Sequence, residues 1–327
     1  MATLNRTQLH ITWANKDVTH NLSAFIEEFT LTDSIEGGRD EITLRLNNQD
    51  GRFLDQWHPQ HGDVIEPVIV SSAGRWPVGK YTIDKLSIRV NPTVMVVSAL
   101  AQEINRDALD KVQNRAFTNT SVHHVVRAIA SESGFIPHVA GQDVPLARVE
   151  MRNESAHQLL QRLSKQYDHY YSIKGDNLLF MARIDVGEFN IDLSNDTRLK
   201  VADFEISPRK GYARATMQYY DVHQKMLITH TEHNTTMPGD RTLTLHDIAN
   251  DLNDAVSKCR AGLSAENKTA GGEGSLVLVG TAIDAGTEVR IAGAGQLHTH
   301  WIAEKVTTTI NSTTGWTTRI NLKVKEL

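Results

Sequence analysis

The sequence predicts a mainly β fold with an α+β insertion, and three observations carry that prediction. Short runs of period-2 alternation, rich in β-branched residues, fill the first hundred residues and return after residue 190. Between them, two segments switch to a helical period. Lastly, YTIDKLSIRVNPTVMVVSAL (81 to 100) and WIAEKVTTTINSTTGWTTRINLKV (301 to 324) follow one plan two hundred residues apart.

In chain order, LHITW (9 to 13), AFIEEFTLTD (24 to 33), EITLRLN (41 to 47) and DVIEPVIV (63 to 70) read as strands. Gly37-Gly38, Asp50-Gly51 and Asn91-Pro92 punctuate them as turns, a spacing that suits a sandwich or barrel. Near Arg106 the pattern changes. Val122, Val125, Val126, Ile129 and Ala130 recur at helical spacing, with Thr120 or Ser121 as N-cap and Gly134 past the C-terminus. A second helix carries the stripe Ala156, Leu159, Leu160, Leu163 and Tyr167, with Asn153 as its expected cap. HYYSIKGDNLLFMARI (169 to 184) reads as a hairpin turning at Lys174 to Asn177.

Strands resume with VADFEIS (201 to 207) and ARATMQYYDVHQKMLITHTEH (213 to 233). Ile248, Leu252, Ala255, Val256, Cys259 and Leu263 predict one helix near 247–264, followed by a loop, AENKTAGGEG. Three domains are expected: a β-domain over 1–105, an α/β module over 106–190, and a second β-domain over 191–327.

Placing Tyr81 over Trp301 sets Asp84-Lys85 on Glu304-Lys305 and preserves parity. Leu86, Ile88 and Val90 match Val306, Thr308 and Ile310 on one face, while Lys85, Ser87 and Arg89 match Lys305, Thr307 and Thr309 on the other. A one-residue slip would exchange the faces, so agreement in register says more than shared composition. Upstream, GDVIEPVIV (62 to 70) and GTEVRIAG (286 to 293) lie at similar distances from the aromatic position. Both copies also follow a strand pair around a polar turn: FIEEFTLTDSIEGGRDEITLRL in the first, VADFEISPRKGYARATMQYY in the second. These matches point to a duplicated β-domain, against the plainer reading that any two antiparallel regions alternate. In the return strand, Thr317, Arg319 and Asn321 lie on a polar face opposite Trp316, Thr318 and Ile320, whereas VMVVSAL (94 to 100) is apolar on both faces.

Composition excludes several functions. A formal net charge of −5 offers no basic field for a nucleic-acid backbone. One cysteine, Cys259, rules out an intrachain disulfide framework and a cysteine-based zinc site. No stretch reaches the roughly 20 apolar residues of a membrane span, and the N-terminus lacks the apolar run of a signal peptide. Synthesis in the cytoplasm, with exit by lysis or within a particle, is therefore expected. Of the fifteen histidines, His298 and His300, the set His223, His230 and His233, and the pair His123-His124 form no closely spaced ligand set. They read as solvated or structural, so no metal is expected. GGEGS (271 to 275) and GAG (293 to 295) lead into strands rather than helices and do not cradle phosphate. Neither a Gly-x-Ser-x-Gly elbow nor an acid dyad appears, and Glu27-Glu28 alternates faces. The tryptophans read as core or interface anchors in preference to sugar platforms.

The two β-regions with their insertion, the segment SAHQLLQRLSKQYDHYYSIKGDNLLF (155 to 180) and the closing GTEVRIAG and HWIAEKVTTTINSTTGWTTRINL together resemble the phage late control D family, the baseplate hubs of contractile tails and tail-like particles. That resemblance implies two tube-like antiparallel β-barrel domains and a homotrimer joining a sixfold tail tube to a threefold central spike. It also implies contacts with tape measure or wedge proteins, and neither catalysis nor a cofactor. Lys85, Ser87, Arg89, Lys305, Thr307, Thr309, Thr317, Arg319 and Asn321 would then form a ring or lumen face, lining the channel or the outer surface. The chain shows no fused lysozyme or spike segment, so puncturing or lysis would fall to a separate partner. Outside that resemblance, a carbohydrate-binding adhesin and a cell-wall hydrolase remain the alternatives.

Overall fold

A computed structural model describes residues 7–35, 40–101, 106–174, 176–182, 187–206, 211–221, 223–235, 239–295 and 300–325. The first region holds β1 (Gln8–Trp13), β2 (Lys16–Asp17), α1 (Thr19–Leu22), β3 (Ile26–Ser34), β4 (Glu41–Asn47), β5 (Val64–Ser71), β6 (Gly74–Pro77), β7 (Tyr81–Arg89) and β8 (Val94–Ala101). The middle holds α2 (Arg106–Asp110), β9 (Val112–Ser121), α3 (Val122–Glu132), β10 (Ile136–Ala140), β11 (Pro145–Ser155), α4 (Ala156–Gln166), β12 (Tyr170–Lys174) and β13 (Asn177–Met181). Then come β14 (Glu188–Asp192), β15 (Leu199–Glu205), β16 (Arg214–Asp221), β17 (Met226–His233), β18 (Thr242–Ala249), α5 (Leu252–Gly271), β19 (Glu273–Val279), β20 (Glu288–Ala292), β21 (His300–Asn311) and β22 (Gly315–Val324).

The mainly β class with an α+β insertion is as expected, and the two β-regions turn out to share one 14-stranded sheet. Its order is β15-β19-β22-β21-β3-β4-β8-β7-β5-β1-β2, with β14, β20 and β6 branching off. Among the described residues no closed barrel is detected. The order brings the last strands of the sequence beside β3, so residues almost three hundred apart share hydrogen bonds.

Four cores lie around this sheet. Phe29, Ile42, Leu44, Met95 and Val97 anchor one, which also takes Trp316 from the far end of the chain. Leu276, Leu278, Val289, Trp301, Ile320 and Leu322 anchor a second. The middle module has its own core, where Leu159, Leu160 and Leu163 are fully buried beside Val122, Val125, Leu178 and Phe180. At about 1.5–3 kcal/mol for each buried leucine, that stripe holds α4 in place. A fourth core packs Ala255, Cys259 and Leu263 of α5 on a separate sheet, β17-β16-β18.

Local signals explain these elements. Ser121 caps α3 by accepting from the His124 backbone, and Gly134 follows with φ of 75°. The expected cap of α4 is corrected: Ser155, not Asn153, is the N-cap, and with Gln158 it completes a capping box, while Asn153 takes a left-handed turn at φ 50°. α5 starts later and ends later than its periodicity suggested. Ile248 belongs to β18 and is 58% exposed, Asp251 caps the helix, and most of the expected AENKTAGGEG loop is its last two turns.

Candidate functional site

Register brings all nine expected face residues onto one side of one sheet. Residues directly opposite in an antiparallel ladder share a face. Lys305, Thr307 and Thr309 face Asn321, Arg319 and Thr317 across β21–β22, and face Ser34, Thr32 and Thr30 across β21–β3. Thr30 then pairs Thr43, Thr43 pairs Ser98, and Ser98 pairs Lys85, with Ser87 and Arg89 following along β7. Toward the other edge, Asn321 pairs Ser275 and Ser275 pairs Asp203. The result is a polar face rich in threonine and serine, running from β15 to β7. Its reverse side carries Phe29, Ile42, Leu44, Val306 and Ile320 into the cores.

The charges on this face are partly tied. Arg45 pairs Glu27 at 2.8 Å, and Asn311 donates to Glu28 across the β21–β3 seam at 3.4 Å. The expected alternation of Glu27-Glu28 is corrected: the bulge between Ile26 and Glu28 brings both carboxylates to this one face, where partners on neighbouring strands hold them. At the seam's end, Asp33 accepts from the Ala285 backbone at 2.8 Å, and Glu304 pairs Lys323.

Pairing also shows how the duplicated β-unit is built. β3-β4-β8-β7 and β15-β19-β22-β21 are two four-stranded units of the same strand order. The β7–β8 ladder slips between Ile83 and Lys85, and the β21–β22 ladder slips between Ala303 and Lys305, the residues aligned by the sequence repeat. A second slip between Ile26 and Glu28 on β3 has its counterpart between Leu199 and Val201 on β15. Gly62 donates to the Ile83 carbonyl and Gly286 to the Ala303 carbonyl, the same bond in both units. Bulges at equivalent places are specific devices, so two shared ones go well beyond generic alternation. The expected counterpart of EITLRL is corrected: EGSLVLV in β19 occupies that place, whereas ARATMQYY lies in the separate sheet. Sequence reading missed Asp203 and Glu205 on this face, although ADFEI (202 to 206) alternates with the parity of FTLTD (29 to 33).

The two ends of this tandem differ from its middle. β21 is paired along its whole length, first by β20 and then by β3. β7 is paired by β5 only at Thr82 and Tyr81, and among the described residues its stretch beyond the bulge has β8 alone. β15 likewise has β19 alone.

Elsewhere the chemistry is sparse. Among the described residues no group of three metal-ligating side chains occurs, and His298 lies outside them. His300 pairs Glu288 at 2.8 Å, and His230 pairs Glu232 at 3.1 Å. Hydrogen bonds from Lys325 and His300 hold the Glu288 carboxyl down at about 2. Cys259 is buried, and desolvation pushes its thiol up to about 11, which makes it a poor nucleophile. Trp301 and Trp316 are buried, as core anchors are.

His123 and His169 are buried with rings 5.7 Å apart, and among the described residues neither Nε2 has a hydrogen-bond partner. His169 Nδ1 donates to the Tyr167 carbonyl at 2.7 Å, so its Nε2 is bare in the neutral ring. Protonation would bury a charge and an unmet donor, and desolvation accordingly lowers both pKa values from 6.5. The unfolded chain takes up these protons first. Stability should therefore fall as pH drops below about 6.5, by at most about 1.4 kcal/mol per pH unit for each ring. The thermal midpoint is expected to drop between pH 7.5 and 5.5, and to drop less in H123Q/H169Q; a flat wild-type profile would overturn this account.

The fold is similar to that of phage tail proteins and of a type VI secretion component. A tail protein from Neisseria meningitidis superposes with a TM-score of 0.71, over 98% of this chain and 96% of that one, at 11% identity. The 43 kDa tail protein of a Shewanella oneidensis prophage gives 0.68, over 96% and 98%, at 15% identity. An E. coli component of the type VI secretion system gives 0.56, over 98% and 74%, at 10% identity. At these identities the likeness is one of fold.

In sequence, the chain is similar to the probable baseplate hub protein of Escherichia phage P2, 28% identical over 173 residues. The match takes in 51% of this chain and spans 43% of the relative's length. No family profile matches the sequence. Together these likenesses bear out the resemblance to baseplate hubs read from the residues.

Proposed function

We propose that the chain is a structural, non-enzymatic baseplate hub: a homotrimeric adaptor joining a sixfold tail tube to a threefold central spike. One observation carries this reading, the tandem of two equivalent four-stranded units joined edge to edge in a single sheet. Three such chains supply six units, and a ring of six matches sixfold symmetry on one side while remaining threefold overall.

The polar face from Lys85 to Asn321 would line the lumen. Its reverse side is covered by β1, β5, β14, β20 and the cores, and a closed sheet has room for extra layers only outside. At roughly 4.8 Å per strand, a ring of six four-stranded units spans on the order of 40 Å between backbones. Threonines, serines and paired charges suit the wall of such a wet channel. The middle module, outside the sheet, would offer a contact for wedge, tape-measure or spike proteins. No helix among the described residues is long and apolar enough to cross a membrane.

Mass measurement should give three copies of the 36.5 kDa chain, and imaging should show a threefold ring with near-sixfold symmetry at one end. A stable monomer that binds glycans, or one that lyses peptidoglycan, would replace the hub with an adhesin or a hydrolase.

A further inference from the structure

We infer the residue-by-residue register of the seam between neighbouring copies of this chain, with β7 of one copy pairing antiparallel to β15 of the next. The inference rests on the hub reading but goes further, because it fixes which side chains meet.

The internal seam is the template. β21 ends the second unit, β3 begins the first, and they pair as Val306↔Asp33, Thr307↔Thr32, Thr308↔Leu31 and Thr309↔Thr30. In the first unit β7 stands where β21 stands in the second, with Lys85 equivalent to Lys305. β15 stands where β3 stands, with Val201 equivalent to Glu28; both equivalences are fixed by the shared bulges. Carrying the template to the two open edges opposes Leu86 to Ile206, Ser87 to Glu205, Ile88 to Phe204 and Arg89 to Asp203.

Chemistry at those positions agrees with the transfer. Two apolar pairs fall on the core side and two polar pairs on the lumen side, one of them Arg89 with Asp203. Ile88 is 44% and Ile206 37% exposed, whereas Thr308 and Asp33, the residues equivalent to them at the internal seam, are 4% and 7% exposed. An exposed strand edge with an apolar stripe is what nature otherwise protects. The opposite charges would set register as well as attraction. A head-to-tail contact of this kind is heterologous and closes into a ring when its rotation divides a full turn.

Crosslinking tests the register, since the native Cys259 is buried. Two double variants, S87C/E205C and I88C/F204C, cover both kinds of antiparallel pair. One of them is the closer, non-hydrogen-bonded kind that a disulfide bridges readily. At least one should give covalent multimers under mild oxidation, while S87C/D203C, two residues out of register, should not. Arg89→Asp should cut assembly at least tenfold, and R89D/D203R should restore much of it. Rings that form but crosslink only through S87C/D203C would overturn the register and leave the hub reading standing. Monomers without crosslinks at any concentration would overturn both.

Discussion

Asp254→Ala is expected to destabilise the protein by about 3–5 kcal/mol, because it removes one partner of a buried charge pair and leaves several donors unmet. The Asp254 side chain is fully buried at the start of α5. Its Oδ1 accepts from the Tyr167 hydroxyl at 2.7 Å, and its Oδ2 accepts from the Asn250 backbone at 2.9 Å, the Asn250 amide at 3.0 Å and the Lys258 ammonium at 2.9 Å. Lys258 is itself only 13% exposed, so alanine would strand a buried ammonium. Tyr167 closes α4 in the middle module, and this one carboxylate therefore ties that module to the α5 sheet. Desolvation first, and the Asp254 charge next, raise the Tyr167 pKa far above its usual value, so its hydroxyl donates at every relevant pH. Tyr167→Phe, which loses a single hydrogen bond, should cost about 0.5–1.5 kcal/mol. Denaturant midpoints, with hydrogen exchange in α4 and α5, would read both. An Asp254→Ala midpoint within 1 kcal/mol of wild type would mean that the knot contributes nothing net.

Sequence made the helical core and the repeat legible for the same physical reason. A buried face imposes its period on the chain. Leu159, Leu160 and Leu163 announced α4, and the parity of Lys85, Ser87 and Arg89 against Lys305, Thr307 and Thr309 announced a shared face. What the alternation could not show was pairing between strands far apart in the chain. β19 was missed as the counterpart of β4 because the second unit leaves the sheet after β15 and returns only at residue 273. In the first unit the corresponding connection is the short stretch between Ser34 and Glu41. The inserted β16-β17-β18 and α5 supply alternation and periodicity of their own, which drew the reading away from β19.

Asp203 and Glu205 illustrate a second limit. Their charge is visible in the sequence, but their place at an open edge depends on which strands pair. Bulges behave similarly. Asp84 and Glu304 look like ordinary strand residues until the ladder slips beside each of them, and only then does the repeat become a shared backbone device. Asn153 and Ser155 compete as caps within three residues, and the side-chain reach of Gln158 back to Ser155 decides between them.

Trp316→Ala is expected to cost about 3–5 kcal/mol, and to loosen the joint between the two units more than either unit itself. Trp316 lies on β22 of the second unit, yet its 2%-exposed side chain packs into the core of the first. There it meets Trp76 edge to face, with ring centres 5.1 Å apart. Its indole N–H donates to Thr318 Oγ1 at 3.1 Å, and that hydroxyl donates to the Thr281 carbonyl at 2.6 Å, so the ring's orientation is fixed from behind. Directly opposite Trp316 on β21 stands Ile310, which pairs Phe29 of β3 across the internal seam. Removing the indole would leave a cavity bordered by both units. Hydrogen exchange along residues 305–311 of β21 should therefore speed up before that of β4 or β19. Thr317→Ala, one residue away on the polar face, should change stability by no more than about 0.5 kcal/mol. A double-mutant cycle of Trp76→Ala with Trp316→Ala should give a coupling of about 0.5–1.5 kcal/mol from the aromatic pair. Strict additivity, or exchange that rises evenly across both units, would show that the rigidity of the tandem comes from the β21–β3 ladder alone.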